Sequence, residues 1–233
     1  MKTLKQHIAE SKALQQNINI QENFKFKINR NNTIYTCQPK TRNELRQIIE
    51  DRYKEQGPGT KQEPIYFNDI DISKIDDLSH IFENTKFEYI DLSDWDVSNV
   101  YSMYSLFTKC YALREVNLSG WDVKRLESAG YMFDGCNLLK RVDLSWKNTS
   151  KIALFKRMFC DCINLQEVDI SSFDLSGAKD MWRMFSNCIS LSKLYLPNDF
   201  VPTKDITVTN MFVDCKNEII PDWYDVNTGD LKI

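Results

Sequence analysis

The chain has 233 residues, 42% hydrophobic and 27% charged, with a formal net charge of −3, a profile ordinary for a globular protein. No apolar run reaches the ~18–20 residues of a membrane span, and the basic start at residues 1–8 has no apolar segment behind it, so the sequence predicts no membrane association, no export signal and a cytoplasmic location. The charge is uneven: residues 1–64 carry 12 basic and 7 acidic side chains and residues 65–233 carry 18 and 26, so the larger part would repel phosphate backbones and nucleic acid is disfavoured as a partner.

In chain order, Thr3 caps a short predicted helix over residues 4–16, with Leu4 and Ile8 on one face. The period then changes to two. Phe24, Phe26 and Ile28 alternate with Lys25 and Lys27, residues 29–32 turn, and Ile34, Tyr35 and Cys37 return as the second strand of a hairpin. Thr41 and Glu44 form a capping box for a helix that carries Leu45, Ile48, Ile49 and Tyr53 on one face and stops before Gly57-Pro58-Gly59. That glycine-proline stretch reads as a linker, because it lacks the spacing of a phosphate-binding loop.

From residue 65 onward one pattern recurs. Phe82, Phe107, Phe133, Phe159, Phe185 and Phe212 are spaced by 25, 26, 26, 26 and 27 residues, and a period that steady predicts a stacked repeat architecture. Each repeat holds a strand of the form Leu-x-x-Val-x-Leu with its branched residues inward, then a corner rich in Asp, Ser and Trp. After the corner, apolar residues three or four apart, such as Val97, Val100, Met103, Leu106 and Phe107, predict a short helix behind the strand. The expectation is an α/β solenoid, its parallel strands in one sheet and its helices on the other side. Residues 1–64 (helix, β-hairpin, helix) form its N-terminal cap, and a C-terminal capping segment begins at about residue 197 within the 65–233 unit.

Five of the seven cysteines (Cys110, Cys136, Cys162, Cys188 and Cys215) share one repeat position, which is the signature of small apolar core residues and not of a disulfide framework. All seven are expected to be reduced.

The recurring Met-Phe-x-x-Cys-x-x-Leu-x-x-Val-Asp-Leu-Ser-x-Trp-Asp resembles the BspA-like leucine-rich repeats, also met as the mycoplasma-type lipoprotein repeat of unknown function, over residues 68–216. The N-terminal part is similar to the leader on such repeat proteins from gut bacteria and their phages. The resemblance implies a leucine-rich-repeat solenoid with an interaction or surface role, and it brings no catalytic residues. Trp121 stands where the common leucine-rich pattern would place its Asn ladder.

Little in the sequence points to chemistry. His7 and His80 are the two histidines, and neither accompanies a nucleophile. Cys160 and Cys162 lack the further ligands that zinc requires. Asp91, Asn117, Asp143 and Asp169 form a carboxylate row that reads as a hydrogen-bonded ladder, with Arg141 placed to neutralise Glu115 and Glu167. Neither a metal nor a cofactor is expected. The expected function is non-catalytic binding of another protein of basic or mixed surface through the exposed sheet face, by Tyr89, Asp91, Glu115, Asn117, Arg141, Asp143, Glu167, Asp169, Lys193 and Tyr195. An intracellular or phage-encoded effector or inhibitor fits best. The alternatives are a self-associating virion or assembly component, a cell-surface adhesin, and an enzyme using the carboxylate row.

Overall fold

A computed structural model describes residues 34–232, a mixed α/β arrangement of parallel strands with few helices and no closed barrel. Helix α1 (Arg42–Gln56) begins where the capping box places it, with Thr41 accepting from the Glu44 amide at 3.2 Å. Glu44 reaches back to the amide of Lys40 at 2.7 Å. The helix ends at Gly57, whose φ of 75° only glycine adopts freely and whose amide donates to Tyr53. Leu45 and Ile49 are fully buried and join the same core as the repeats.

Strands β1 (Ile65–Tyr66), β2 (Tyr89–Asp91), β3 (Glu115–Asn117) and β4 (Arg141–Asp143) form one parallel sheet in chain order. Strands β5 (Glu167–Asp169) and β6 (Lys193–Tyr195) form a second. Each central residue (Ile90, Val116, Val142, Val168, Leu194) is in register with its neighbour within its sheet, and its flanking residues point the other way, as a period of two demands. The expected single sheet is interrupted between β4 and β5. Two features coincide there: Asp143 would meet Asp169 with no Asn between them, and the corner Leu144-Ser145-Trp146 is one residue shorter than Leu118-Ser119-Gly120-Trp121. Trp95 and Trp121 donate their indole N–H to the carbonyls of Phe67 and Leu92 (2.9 and 2.8 Å), whereas the shortened corner leaves the buried Trp146 N–H without an acceptor.

The helices expected behind the strands are absent among the described residues. Each repeat instead makes two successive turns, and their left-handed residues recur in pairs: His80 and Asn84, Ser105 and Lys109, Tyr131 and Gly135, Arg157 and Asp161, Arg183 and Asn187, Asn210 and Asp214. The amides alternate in use. Those of Met103, Ser105, Phe107 and Lys109 donate to Ser128, Gly130, Met132 and Asp134 in the next repeat, while those of Leu106, Thr108 and Cys110 close turns three residues back. This satisfies the backbone without a helix. It also points the inter-repeat bonds one way, so the first ladder segment turns carbonyls outward and the last turns amides outward. Arg42 caps the Ser79 carbonyl and Arg46 that of Glu83 at 3.4 Å, and Arg46 also donates at 2.8 Å to the His80 carbonyl, which closes a turn with the Glu83 amide. At the far end Asn210 donates its amide to Gly229 at 2.6 Å, within the hairpin of β7 (Tyr224–Asp225) and β8 (Asp230–Leu231).

The core is columnar. Phe107, Phe133, Phe159 and Phe185 stack face to face at 5.2, 5.4 and 5.6 Å between ring centres, and Tyr224 closes the last ring, Phe212, edge-on at 5.1 Å. Beside them each ladder cysteine donates its thiol to a phenylalanine carbonyl of the repeat before: Cys110 to Phe82 (2.9 Å), Cys136 to Phe107 (3.0 Å), Cys162 to Phe133 (3.1 Å), Cys188 to Phe159 (3.0 Å) and Cys215 to Phe185 (3.0 Å). The cysteines of the described residues are free thiols. The expected first helix and first hairpin strand lie outside the described residues; of the second, Cys37 bridges in parallel to Ile70.

Candidate functional site

The outward side chains of the strands fall into two rows. Tyr89, Glu115 and Arg141 lie in register across β2–β4, and Asp91, Asn117 and Asp143 lie beside them. Glu167 with Lys193 and Asp169 with Tyr195 continue the rows on β5–β6, beyond the interruption. Arg141, Asp143, Asp169, Lys193 and Tyr195 are exposed; Tyr89, Asp91, Glu115, Asn117 and Glu167 are half-buried. All ten expected residues therefore share one side of the strands, in two groups.

The carboxylate row is occupied by its own backbone. Asp91, Asp143 and Asp169 each accept from the amide and hydroxyl of the serine two residues on, Ser93, Ser145 and Ser171, at 2.5–3.0 Å. These short loops end the strands and turn the corner. Asn117 makes the same bond to Ser119 and donates to Asp91 at 3.2 Å. The row is a hydrogen-bonded ladder. The expected neutralisation by Arg141 does not occur. Glu115 pairs with Lys61 at 3.0 Å and Glu167 with Lys193 at 3.6 Å, and Arg141 has no carboxylate partner among the described residues.

One cluster off the sheet brings potential metal ligands together. Single ligand atoms of Asp134, Cys160 and Asp161 lie within 4.8 Å of one another. The Arg157 guanidinium already sits among them, 2.8 Å from Asp134 and 3.0 Å from Asp161, while Asn187 donates to Asp161 at 2.9 Å. Burial raises the Asp134 carboxyl above its ordinary value in spite of Arg157. Burial acts the same way on Asp161, but hydrogen bonds from Asn187 and Cys160 and the Arg157 charge hold it below. Burial pushes the Cys160 thiol up to about 12, so it stays protonated and is a poor ligand or nucleophile. The centre is an internal ion pair. Sequence reasoning missed it, although Asp134, Arg157 and Asp161 all stand at or beside the repeated left-handed positions.

Residues 56–147 and, overlapping them, 117–223 match the family described as "Mycoplasma protein of unknown function, DUF285". The chain belongs to this family. The two matches cover the linker, all the strands of both parallel sheets and the corner ladders, and leave α1 almost wholly outside. The family is related to the BspA-like repeat proteins, whose motif the repeats resemble. Neither a curated protein nor a solved structure matches the chain. No helix among the described residues is long and apolar enough to cross a membrane.

Proposed function

We propose that the chain is a solenoid of the leucine-rich-repeat kind that binds another protein through its exposed sheet face, without catalysis. The observation that carries this reading is the division of labour within each three-residue strand. The central residue is committed to the core, and the two flanking side chains face outward in register with the next repeat. Such a surface tolerates variation without cost to the fold, which suits recognition. It mixes charge with aromatic side chains: Arg141 carries an unneutralised cation, and Tyr66 and Tyr195 are 47% and 46% exposed. The excess of Asp and Glu on the face favours a partner with a basic or mixed surface. Occupied carboxylates and a protonated Cys160 thiol support a non-enzymatic role. The ladder thiols, each bonded to a carbonyl, support a reducing compartment such as the cytoplasm.

The test compares affinity capture from the native cell by the wild-type chain and by the double variant Arg141→Glu/Lys193→Glu. Both substitutions lie on the exposed face, but they set glutamates opposite Glu115 and Glu167, so a loss of about 0.2–1 kcal/mol for each pair is expected. A protein captured by the wild type and lost by the variant, which remains folded at the assay temperature, is the expected result. Equal capture by both proteins would remove the sheet face from consideration.

A further inference from the structure

A strand at the edge of a sheet leaves backbone groups that need cover, and the two ends of this chain treat them differently. At the N-terminal end the carbonyl of Tyr66 on β1 accepts from Arg52 of α1 at 2.5 Å, and Asp69 holds that guanidinium at 2.6 Å. At the C-terminal end β6 has no such cover. Lys193 donates to the Gln166 carbonyl at 3.2 Å and Tyr195 accepts from Ile170 at 2.9 Å, so these two residues turn their backbone groups towards β5. In a parallel ladder the residue between them turns both of its groups the other way, as Val116 of β3 does towards β4. The Leu194 N–H and C=O therefore face outward, and no backbone hydrogen bond among the described residues reaches them. The coil that should supply the next strand folds on itself instead. Around a 3-10 helix at Asn217–Ile219, the Ile220 amide donates to Asn217 at 3.2 Å and the Tyr224 amide to Pro221 at 3.0 Å. Leu194 is left half-buried where Val116 and Val168 are buried. The break between β4 and β5 offers no comparable edge, because Gln166 still donates to the Lys140 carbonyl at 3.2 Å and holds those strands side by side.

We propose that β6 pairs antiparallel with β6 of a second copy of the chain, about a twofold axis at Leu194. In an antiparallel ladder a hydrogen-bonded pair is two facing residues that exchange both N–H···O=C bonds, and Leu194 presents those two groups. An antiparallel strand at the edge of a parallel sheet is a common arrangement. The axis places Lys193 of each copy opposite Tyr195 of the other, a cation beside an aromatic ring with no like charges facing. β6 carries no carboxylate, so it meets a copy of itself without acidic repulsion on a chain whose residues 65–233 are acidic overall. One strand pair buries too little surface for a stable dimer, and the last coils supply more. Ile189, Tyr195, Val201, Val213 and Val226 are 37–68% exposed there, against Ile34, Tyr66, Tyr101 and Tyr111 over the rest of the described chain. Pairing joins the β5–β6 sheets of both copies into one sheet, so the two outward faces become continuous.

The test is sedimentation equilibrium of the full chain under reductant at rising concentration. A reversible equilibrium with a limiting mass of two chains is expected. Tyr195→Lys sets a lysine opposite Lys193 at both contacts and should weaken the dimer by about tenfold. Lys193→Glu/Tyr195→Lys restores opposite charges across the axis and should recover it. Register is read separately. A mixture of Lys193→Cys and Tyr195→Cys chains should cross-link on mild oxidation faster than either chain by itself, because these positions face one another while like positions lie diagonal. Arg141→Glu, two strands away on β4, should leave the dimer intact, so failure of sheet-face capture and failure of this inference are told apart. A chain that stays monomeric, wild-type affinity in Tyr195→Lys, or a folded charge-swapped variant that stays monomeric would each overturn it. So would cross-linking no faster in the mixture, loss of the dimer in Arg141→Glu, or assemblies that grow past two chains.

Discussion

Raising the pH should unfold this protein through its buried thiols. Burial holds the thiols of Cys136, Cys162 and Cys188 well above the ordinary 9.0, and pushes Cys215 up to about 11 and Cys160 to about 12. In the unfolded chain each returns to its ordinary value. Because the folded values are the higher ones, the unfolded chain loses its protons first as pH rises. The stability from this source is whole below pH 9.0 and drains away from there up to the folded values. Each fully buried thiol then costs about 1.4 kcal/mol per pH unit, so Cys162 and Cys188 together cost about 3 kcal/mol per unit, and Cys215 and Cys160 add to this up to their folded values. Against a total stability of about 5–15 kcal/mol, unfolding should follow within ~2–3 units. Urea titrations under reductant, read by tryptophan fluorescence from neutral pH upward, give the slope. The decisive comparison is with Cys162→Ala, whose slope above pH 9.0 should be lower by about 1.4 kcal/mol per unit. Identical slopes for the two proteins would refute the reasoning.

Three further outcomes are expected. Arg46→Ala uncaps the carbonyl of Glu83 at the open end of the ladder and removes a second donor from that of His80, and should cost about 1 kcal/mol in urea denaturation, discounted for a side chain 40% exposed; a loss below about 0.3 kcal/mol would mean that water replaces the guanidinium equally well. Gly177→Ala drives a Cβ into the Ser150 carbonyl of the preceding repeat and should cost more than about 2 kcal/mol, whereas at Gly120, with φ of 73° and nothing within 4 Å, the same change should cost only about 1 kcal/mol of backbone strain. The order of the two melting temperatures checks this. Cys136→Ser keeps the Phe107 carbonyl as an acceptor for its hydroxyl and should cost about 1 kcal/mol by the same denaturation; a loss above about 3 kcal/mol would show that the hydroxyl is stranded.

The period, the strands and the inward residues were legible in the chain itself. A side-chain alternation of two within a repeat of 25 to 27 leaves one way to bury Val116, Val142 and Val168 in a column, and the same spacing stacks Phe107 on Phe133 and Cys110 beside Cys136. The turn ladder was not legible. Apolar residues at 103, 106 and 107 fit a helix and a pair of turns equally well, and the choice rests on where the amides find acceptors. With the next repeat offering carbonyls to every second amide, two turns satisfy the backbone that a helix would have satisfied alone. Their left-handed positions carry Ser105, Lys109, Tyr131 and Arg157 as well as glycine, so no glycine signature marked them. The charge pairing also had to wait for the tertiary structure. Lys61 reaches Glu115 and leaves Arg141 unpaired, and Lys156 rests on Tyr104 and Tyr131, because residues one repeat or more apart in sequence become neighbours only when the repeats lie side by side.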